Sequence, residues 1–247
     1  MVRALSHVVG ILALGAISAG AQSLPPNAPA HQLLVDATAL RPGRFVYQTT
    51  LEGAVATSVI GTRTVTVSAT TYAGAPAWLL LETRTGAVDS LLTDMANLHP
   101  VHWSSTLGEA RVAAEFRGET MYAGLSSPAG RRSMMSAVPS SSLVSAAMLE
   151  TVLRLVPLRM AWEDSATTLS VSLDGNTVLP TRLSVIGEDD VRVPAGQFDC
   201  WVVAVHADTA RGLYWVTKRD PMVVRSALDV PLLGGAQLVN ALTSVNP

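Results

Sequence analysis

The sequence predicts an all-β fold: a curved antiparallel sheet, or half-barrel, of about ten or more strands with one main helix near residues 142–156. Three observations support this prediction. Polar and apolar residues alternate with a period of two in residues 62–70 and 109–116, which is typical of half-buried strands. Short turn signals such as Arg117-Gly118 separate successive runs. Only one stretch has apolar residues at helical spacing.

Seven short strands are predicted in the first half of the chain. The run at residues 77–83 contains Trp78-Leu79-Leu80-Leu81, which is apolar on both faces and therefore typical of a strand inside a sheet. In residues 62–70 the threonines face one way, while Val65, Val67 and Ala69 face the other. The predicted strands are residues 44–51, 62–70, 77–83, 89–94, 101–105, 109–116 and 120–123.

A long polar loop and the helix follow. Residues 124–141 are rich in Ser, Gly and Pro, carry Met134 and Met135, and predict a loop of the length that often has a function. Ser141 or Ser142 is expected to cap the helix, Glu150 and Arg154 have the spacing of an ion pair, and Pro157 ends it. Its apolar stripe comprises Val144, Met148, Val152, Leu155 and Val156.

The densest apolar stretch, residues 191–216, is the expected centre of the core. Pro194 and Gly196 have the spacing of a short hairpin loop. Glu188-Asp189-Asp190 is interpreted as a solvated acidic turn. Cys200, the only cysteine, is interpreted as a small buried hydrophobe that forms no disulfide. The strands predicted in this half are residues 168–173, 177–186, 191–193, 198–206, 211–217, 222–228 and 237–242.

The N-terminus predicts export. Arg3 precedes an apolar run at residues 8–19, and Ala19-Gly20-Ala21 fits a cleavage site before Gln22. The run is too short to span a bilayer comfortably, so no transmembrane span is expected. We therefore predict a signal peptide at 1–21, a Pro-rich flexible tether at 22–42 and a single β-rich domain at 43–247, located in the periplasm or outside the cell.

No catalytic motif is present in the sequence. It contains no G-x-S-x-G, H-E-x-x-H, P-loop or G-x-G-x-x-G pattern. His99 and His102 would point to opposite faces of a strand, and Cys200 and His206 would lie roughly 20 Å apart along one strand. Beyond Arg131-Arg132 there is no basic patch that would suggest nucleic acid. We predict no metal and no cofactor.

Two C-terminal segments resemble a known family. V-P-A-G-Q-F-D-C-W-V-V and L-Y-W-V-T-K-R-D-P-M-V-V-R-S are similar to the signature of exported bacterial β proteins that form a domain of unknown function, number 3108. Val193 replaces the usual Thr, and the resemblance extends over about residues 41–242. It implies a curved antiparallel sheet partly wrapped around a helix, broadly similar to the half-barrels of periplasmic lipoprotein carriers. It implies no catalytic residues.

These observations leave several functions open. One hypothesis is a non-catalytic envelope protein that holds a lipid or acyl chain in a concave sheet; the opposing interpretation is that the same apolar strands form an ordinary dry core. A second is an assembly module that binds an envelope protein or a glycan through a sheet edge or the 124–141 loop. A hydrolase with a spatially assembled site is the least favoured. The residues expected to form the groove and its lid are Trp78, Leu80, Met134, Met135, Met148, Trp201 and Trp215.

Overall fold

The computed structural model describes residues 33, 35–53, 55–172, 175–207, 210–230 and 233–246. The predicted signal peptide lies outside these residues, as does most of the predicted tether. Leu33, Ala37 and Leu40 are buried in the core, and a short 3-10 helix spans Ala37–Ala39. The described end of the segment predicted to be a tether is therefore part of the packed fold.

The described residues form one antiparallel sheet of fourteen strands, which confirms the predicted fold class. Nearly every strand pairs with its neighbours in sequence, and the first strand also pairs with the last. Two meanders, β1–β8 and β9–β14, are thereby joined through β1 and β14. The strands are β1 (Gly43–Glu52), β2 (Thr57–Tyr72), β3 (Ala75–Arg84), β4 (Ala87–Asp94), β5 (Pro100–Leu107), β6 (Ala110–Arg117), β7 (Thr120–Ser127), β8 (Gly130–Ala137), β9 (Glu163–Ser172), β10 (Gly175–Val193), β11 (Gly196–Ala207), β12 (Ala210–Thr217), β13 (Val223–Val230) and β14 (Ala236–Asn246).

The two ends of the sheet come together without closing into a barrel. β8 and β9 are the terminal strands and do not pair with each other. The Ser136 hydroxyl of β8 donates to the Asn176 side-chain oxygen of β10 at 2.7 Å. Leu143 forms a single parallel bridge to Thr168 on β9. The sheet is therefore strongly curled, and its seam is held by side chains and one connecting segment.

The helix α1 (Ala146–Leu153) lies inside the curl. Ser145 caps it: its Oγ accepts a hydrogen bond from the Met148 backbone N–H at 3.1 Å, so the expected caps Ser141 and Ser142 are wrong. Every residue from 147 to 153 is buried, as expected of a helix covered on all sides. Arg154 donates to the Pro221 carbonyl and lies 4.4 Å from the centre of the Phe45 ring. The helix thus touches both meanders.

The predicted central hairpin is present, with one correction. Ala195 and Pro194 turn the chain between β10 and β11, and Gly196 has φ +144°, a conformation that favours glycine. The acidic run at residues 188–190 is not a turn, because it lies within β10, just after an irregularity between Val185 and Gly187. The strands predicted at 177–186 and 191–193 form one strand, β10, which continues through this irregularity, and the strand predicted at 198–206 is β11.

Among the described residues, no helix has the length and hydropathy needed to cross a membrane.

Candidate functional site

The sheet face that contacts α1, here called the concave face, carries an apolar strip across β3–β7. Residues opposite each other on antiparallel strands lie on the same face. Leu80 is opposite Leu91, Leu91 is opposite Trp103, and Trp103 is opposite Ala114. All four side chains are buried. The strip therefore presents large apolar and aromatic side chains to the interior, and it contains the predicted residues Trp78 and Leu80.

Three buried polar groups lie within this strip. Trp78 and Trp103 are 7% and 8% exposed, and Thr93, opposite Trp78, is fully buried. The Nε1 atoms of both tryptophans and the Thr93 Oγ1 have no hydrogen-bond partner among the described residues. Such groups are rare, because more than nine-tenths of buried polar groups are hydrogen-bonded. The strip is therefore apolar in area but contains unused hydrogen-bonding capacity.

A cluster of five charged side chains lies at one end of the strip. Arg63 on β2 donates to Glu82 on β3 at 2.9 Å and to Glu150 on α1 at 2.7 Å. Arg84 donates to Glu82 at 2.6 Å and to Asp89 on β4 at 2.5 Å. Both arginines thus have carboxylate partners, and the Arg63–Glu150 pair fixes α1 to the sheet.

The two carboxylates bound by Arg63 have opposite pKa shifts. Burial would raise the pKa of Glu82, but the charges of Arg63 and Arg84 outweigh it and lower this pKa to about 2. Burial dominates at Glu150 and raises its pKa, because Arg63 is its only bonded cation and its Oε2 has no partner among the described residues. Glu82 is therefore a firmly ionised group, whereas Glu150 binds a proton more readily.

Of the predicted groove and lid residues, Met148 and Met134 lie on the concave side. Met148 is buried on α1, and Met134, opposite the buried Ala123, packs partly against the core. Met135 is opposite Tyr122 on the convex face and is 70% exposed. The predicted loop at 124–141 is wrong: most of it is the end of β7, a hairpin turn and strand β8. The two methionines therefore do not form a lid.

Trp201 and Trp215 point to opposite faces of the sheet. Trp201 is opposite Val216, and it lies on the same face as Tyr214, whose partner is Val203. Trp215 is opposite Val202 on the other face of the strand, where both side chains are buried in the core cluster and the Trp215 Nε1 donates to Asp189 at 3.0 Å. The predicted set of seven residues is therefore not one surface: Trp215 is buried on the opposite face of its strand from Tyr214, and Met135 is exposed.

Cys200 and His206 do not form a nucleophile–base pair. Burial, reinforced by nearby aspartates, raises the pKa of the Cys200 thiol to about 12. His206 lies six residues away on the same strand and is exposed. Among the described residues, no three His, Cys, Asp or Glu side chains are close enough to hold a metal ion.

A separate groove of about 540 Å³ lies at the start of β9. Its wall includes Arg182 and Glu163, which form an exposed ion pair at 3.3 Å. The other lining residues are Pro157, Arg159, Trp162, Asp164 and Ser165. This groove is open and charged, unlike the apolar strip.

Sequence reasoning missed the charged cluster and two of the three unpartnered groups. Arg63 has the same period-two spacing as Val65 and Val67, so the alternation did place it on the buried face. Glu82 follows Leu80 in the same way on β3. The charge of these residues argued for the surface, and their partners come from strands and a helix that the sequence does not bring together.

The chain matches the family model described as "Protein of unknown function (DUF3108)" over residues 35–235. It belongs to this family. The match confirms the resemblance of the C-terminal segments and extends over both meanders. A search of curated proteins gives no match.

Solved structures support the fold of this DUF3108 chain. It is similar to a beta-barrel-like protein of family DUF1849 from Brucella abortus, with 13% identity, a TM-score of 0.54, and coverage of 87% of this chain and 98% of that one. At this identity the likeness shows the fold alone. A protein with a YmcC-like fold from Bacteroides fragilis (10% identity, covering 88% of this chain and 100% of the other) and a DUF1329 protein from Desulfovibrio piger (10%, covering 85% and 87%) both have TM-scores of 0.31, too low to carry an argument.

Proposed function

We propose that this DUF3108 protein is an exported, non-catalytic envelope protein that holds an apolar ligand against the concave face of its sheet. The observation that carries the proposal is the shape of the sheet. Fourteen strands curl around one eight-residue helix, and the terminal strands β8 and β9 leave a seam between them. Closed eight-stranded barrels are filled by their own side chains or hold one small ligand, whereas larger barrels enclose ligand cavities or channels.

The composition of the interior supports the same proposal. The strip of Leu80, Leu91, Trp103 and Ala114 is continuous with Met121 and Ala123 on β7, and these side chains are buried. Apolar walls with a few polar groups are typical of small-molecule sites. Export is supported by the signal-peptide pattern of residues 1–21. The high pKa of Cys200 argues against a thiolate nucleophile.

The first test measures ligand content and uptake. The mature protein, beginning at Gln22, is purified from an exporting host, analysed by native mass spectrometry, and then titrated with the uncharged fluorophore diphenylhexatriene. We expect a lipid-sized adduct that organic solvent extracts, and saturable uptake of the fluorophore by the extracted protein. An apo mass together with no uptake would overturn the proposal.

A matched pair of variants locates the uptake. Ala123→Leu adds bulk to the buried concave face on β7, whereas Ala113→Leu adds the same bulk to an exposed position on β6. We expect Ala123→Leu to reduce fluorophore uptake and Ala113→Leu to leave it unchanged, with thermal unfolding used to check that both fold. Equal uptake by both variants would place the ligand elsewhere.

The edge strand β8 favours a second candidate, the assembly module. β8 is a terminal strand and most of its residues are exposed, and Met135 and Tyr122 are opposite each other at 70% and 45% exposure. Exposed edges pair with extended segments of other proteins. A photocrosslinker at Met135, but not at the exposed loop residue Met160, is then expected to trap one envelope protein in the exporting cell.

A further inference from the structure

The outer edge of β8 extends beyond the seam of the sheet. Ser136, near the end of β8, contacts Asn176 at the start of β10, beside the turn from β9. Because every strand is antiparallel to its neighbours, β8 and β9 run in opposite directions. Residues 130–135 therefore continue past the end of β9. Among the described residues, no strand pairs with this side of β8.

Alternate residues of β8 direct their backbone hydrogen-bonding groups to this open side. The Val138 N–H donates to the Glu119 carbonyl at 2.9 Å, at the end of the ladder between β7 and β8. Bonded pairs alternate along an antiparallel ladder, so the even-numbered residues of β8 bond β7. The residues that present N–H and carbonyl groups to the open side are therefore Arg131, Ser133 and Met135. Such a row is a template for an added strand.

Three arginines surround the start of this edge. Arg131 on β8 and Arg111 on β6 both lie opposite Ser126 of β7, and both are exposed. Neither has a carboxylate partner among the described residues. Arg132 lies on the other face, opposite the buried Leu125. The whole chain has a net charge of −2, so this cationic patch is a local feature.

The acidic side chains of the neighbouring strands leave the patch positive. Glu109, in the turn before β6, offsets one of the three charges. Glu115 and Glu119 lie toward the other end of these strands, and Glu115 accepts from the Tyr72 hydroxyl at 2.7 Å. The edge is therefore cationic at its start and apolar at Met135, which is 70% exposed.

We propose that the outer edge of β8 binds an extended acidic segment of a partner protein as an added antiparallel strand, with carboxylates opposite Arg131 and Arg132 and an apolar side chain opposite Met135. This inference rests on the second candidate function, the assembly module, and names the chemistry of its partner. A second copy of this chain fits the edge less well, because two such edges would bring four arginines together. An anionic lipid surface would use the charges but not the outward backbone groups.

The first test uses a synthetic peptide with this pattern. The probe is fluorescein-labelled Thr-Val-Val-Thr-Glu-Glu-Thr, whose valines would lie opposite Met135 and Met134, and the control peptide has lysine in place of both glutamates. We expect fluorescence anisotropy to show saturable binding of the acidic peptide to the mature protein, at least about fivefold tighter than the lysine peptide, as two exposed ion pairs predict. No binding, or equal binding of the two peptides, would overturn the inference.

Two pairs of variants assign the binding to this edge. Ser133→Pro removes an outward N–H at an edge position, where proline is tolerated, whereas Ser133→Ala keeps it. We expect Ser133→Pro to weaken peptide binding at least about fivefold, as the loss of one hydrogen bond predicts, and Ser133→Ala to leave it unchanged.

Arg131→Gln should weaken peptide binding by up to about fivefold at low salt, and the difference should shrink as salt is added. Arg159→Gln, at an exposed position in the groove beside β9, should not weaken it. Thermal unfolding checks that each variant folds. Peptide binding that survives in both Ser133→Pro and Arg131→Gln would contradict the inference.

The alternative occupants of the edge give different results. A dimer in analytical ultracentrifugation that Ser133→Pro dissociates would assign the edge to a second copy and overturn the inference. Binding to phosphatidylglycerol vesicles, together with no peptide binding, would assign the arginines to a lipid surface and would also overturn it.

The assembly function and this inference fail in distinguishable ways. If the photocrosslinker at Met135 traps an envelope protein but the acidic peptide does not bind, the assembly function stands and only the acidic partner is wrong. If the photocrosslinker traps nothing and the peptide does not bind, both fail together. Fluorophore uptake measures the first proposed function separately.

Discussion

At the scale of single residues, the buried Arg63 links the sheet to the helix. It bonds Glu82 of the sheet and Glu150 of the helix at once, and it lies 5.4 Å from the centre of the Tyr47 ring. Burial alone would lower its pKa, but the two carboxylates raise it well above the ordinary value. Arg63 is therefore permanently charged.

Removing Arg63 is expected to destabilise the protein much more than neutralising its helical partner. Arg63→Met leaves the buried Glu150 without its bonded cation and Glu82 with Arg84 alone, and should cost about 3–5 kcal/mol in the free energy of unfolding. Glu150→Gln imitates the protonated form that the raised pKa of Glu150 favours, so it should cost clearly less. Urea unfolding of both variants measures this, and equal losses would contradict the pKa argument.

The low pKa of Glu82 predicts that the protein loses stability in acid. Its pKa is about 2 in the folded protein against an ordinary value of 4.5, so the unfolded chain binds the proton more tightly. The stabilising contribution is complete above pH 4.5 and is lost as the pH falls toward 2, by up to about 3 kcal/mol. In Glu82→Gln the difference in unfolding free energy between pH 6 and pH 3 should be smaller than in the wild type. Glu109→Gln, at an exposed position, should retain the wild-type difference.

Cys200 is expected to be chemically inert in the folded state. It is fully buried, and its pKa of about 12 leaves little thiolate at neutral pH. Iodoacetamide should therefore label it only as fast as the protein unfolds. Ser133→Cys in a Cys200→Ala background places a thiol on the exposed side of β8 and should react readily. Rapid labelling of native Cys200 would show that the β11 core opens.

At the scale of elements, the N-cap of α1 can be tested by comparing the stability of two serine variants. Ser145→Ala removes the acceptor for the Met148 N–H and should cost about 1 kcal/mol. Ser142→Ala removes a buried hydroxyl that has no partner among the described residues, so it should be neutral or slightly stabilising. Thermal unfolding of the two variants tests this. If Ser142→Ala is the more damaging change, Ser142 is the effective cap.

Strands were predictable from the sequence wherever buried and exposed residues alternate along them. β2 and β6 have one dry and one wet face, so their spacing is visible in the sequence. β8 has no such signal, because as an edge strand with Gly130, Arg131 and Ser133 exposed it reads as a loop. The run Glu188–Asp190 also resembles a turn in the sequence, because it is strongly charged. In the structure these charges have partners on neighbouring strands, as Glu188 has in Lys218 at 2.6 Å.

At the scale of the whole molecule, the sequence predicts the sheet but not its interior. A curved antiparallel sheet follows from many alternating runs and short turns. The sequence pattern does not show which of those strands pair, because the pairing of β1 with β14 and the contact of Ser136 with Asn176 join residues far apart in the chain. The strip, the charged cluster and the seam all depend on these long-range contacts, so the candidate site could be inferred only in part.

The continuous core predicts that the two meanders unfold together. One cluster of buried side chains runs from Leu91 and Trp103 in the first meander, through Leu149 of α1, to Leu183 and Val203 in the second. Leu91→Ala and Leu183→Ala should each cost about 2–5 kcal/mol and should shift one shared transition. Circular dichroism and tryptophan fluorescence followed through urea unfolding should then coincide in the wild type and in both variants. A second transition that only Leu183→Ala moves would instead mean that β9–β14 form an independent unit, and that α1 is held by the first meander alone.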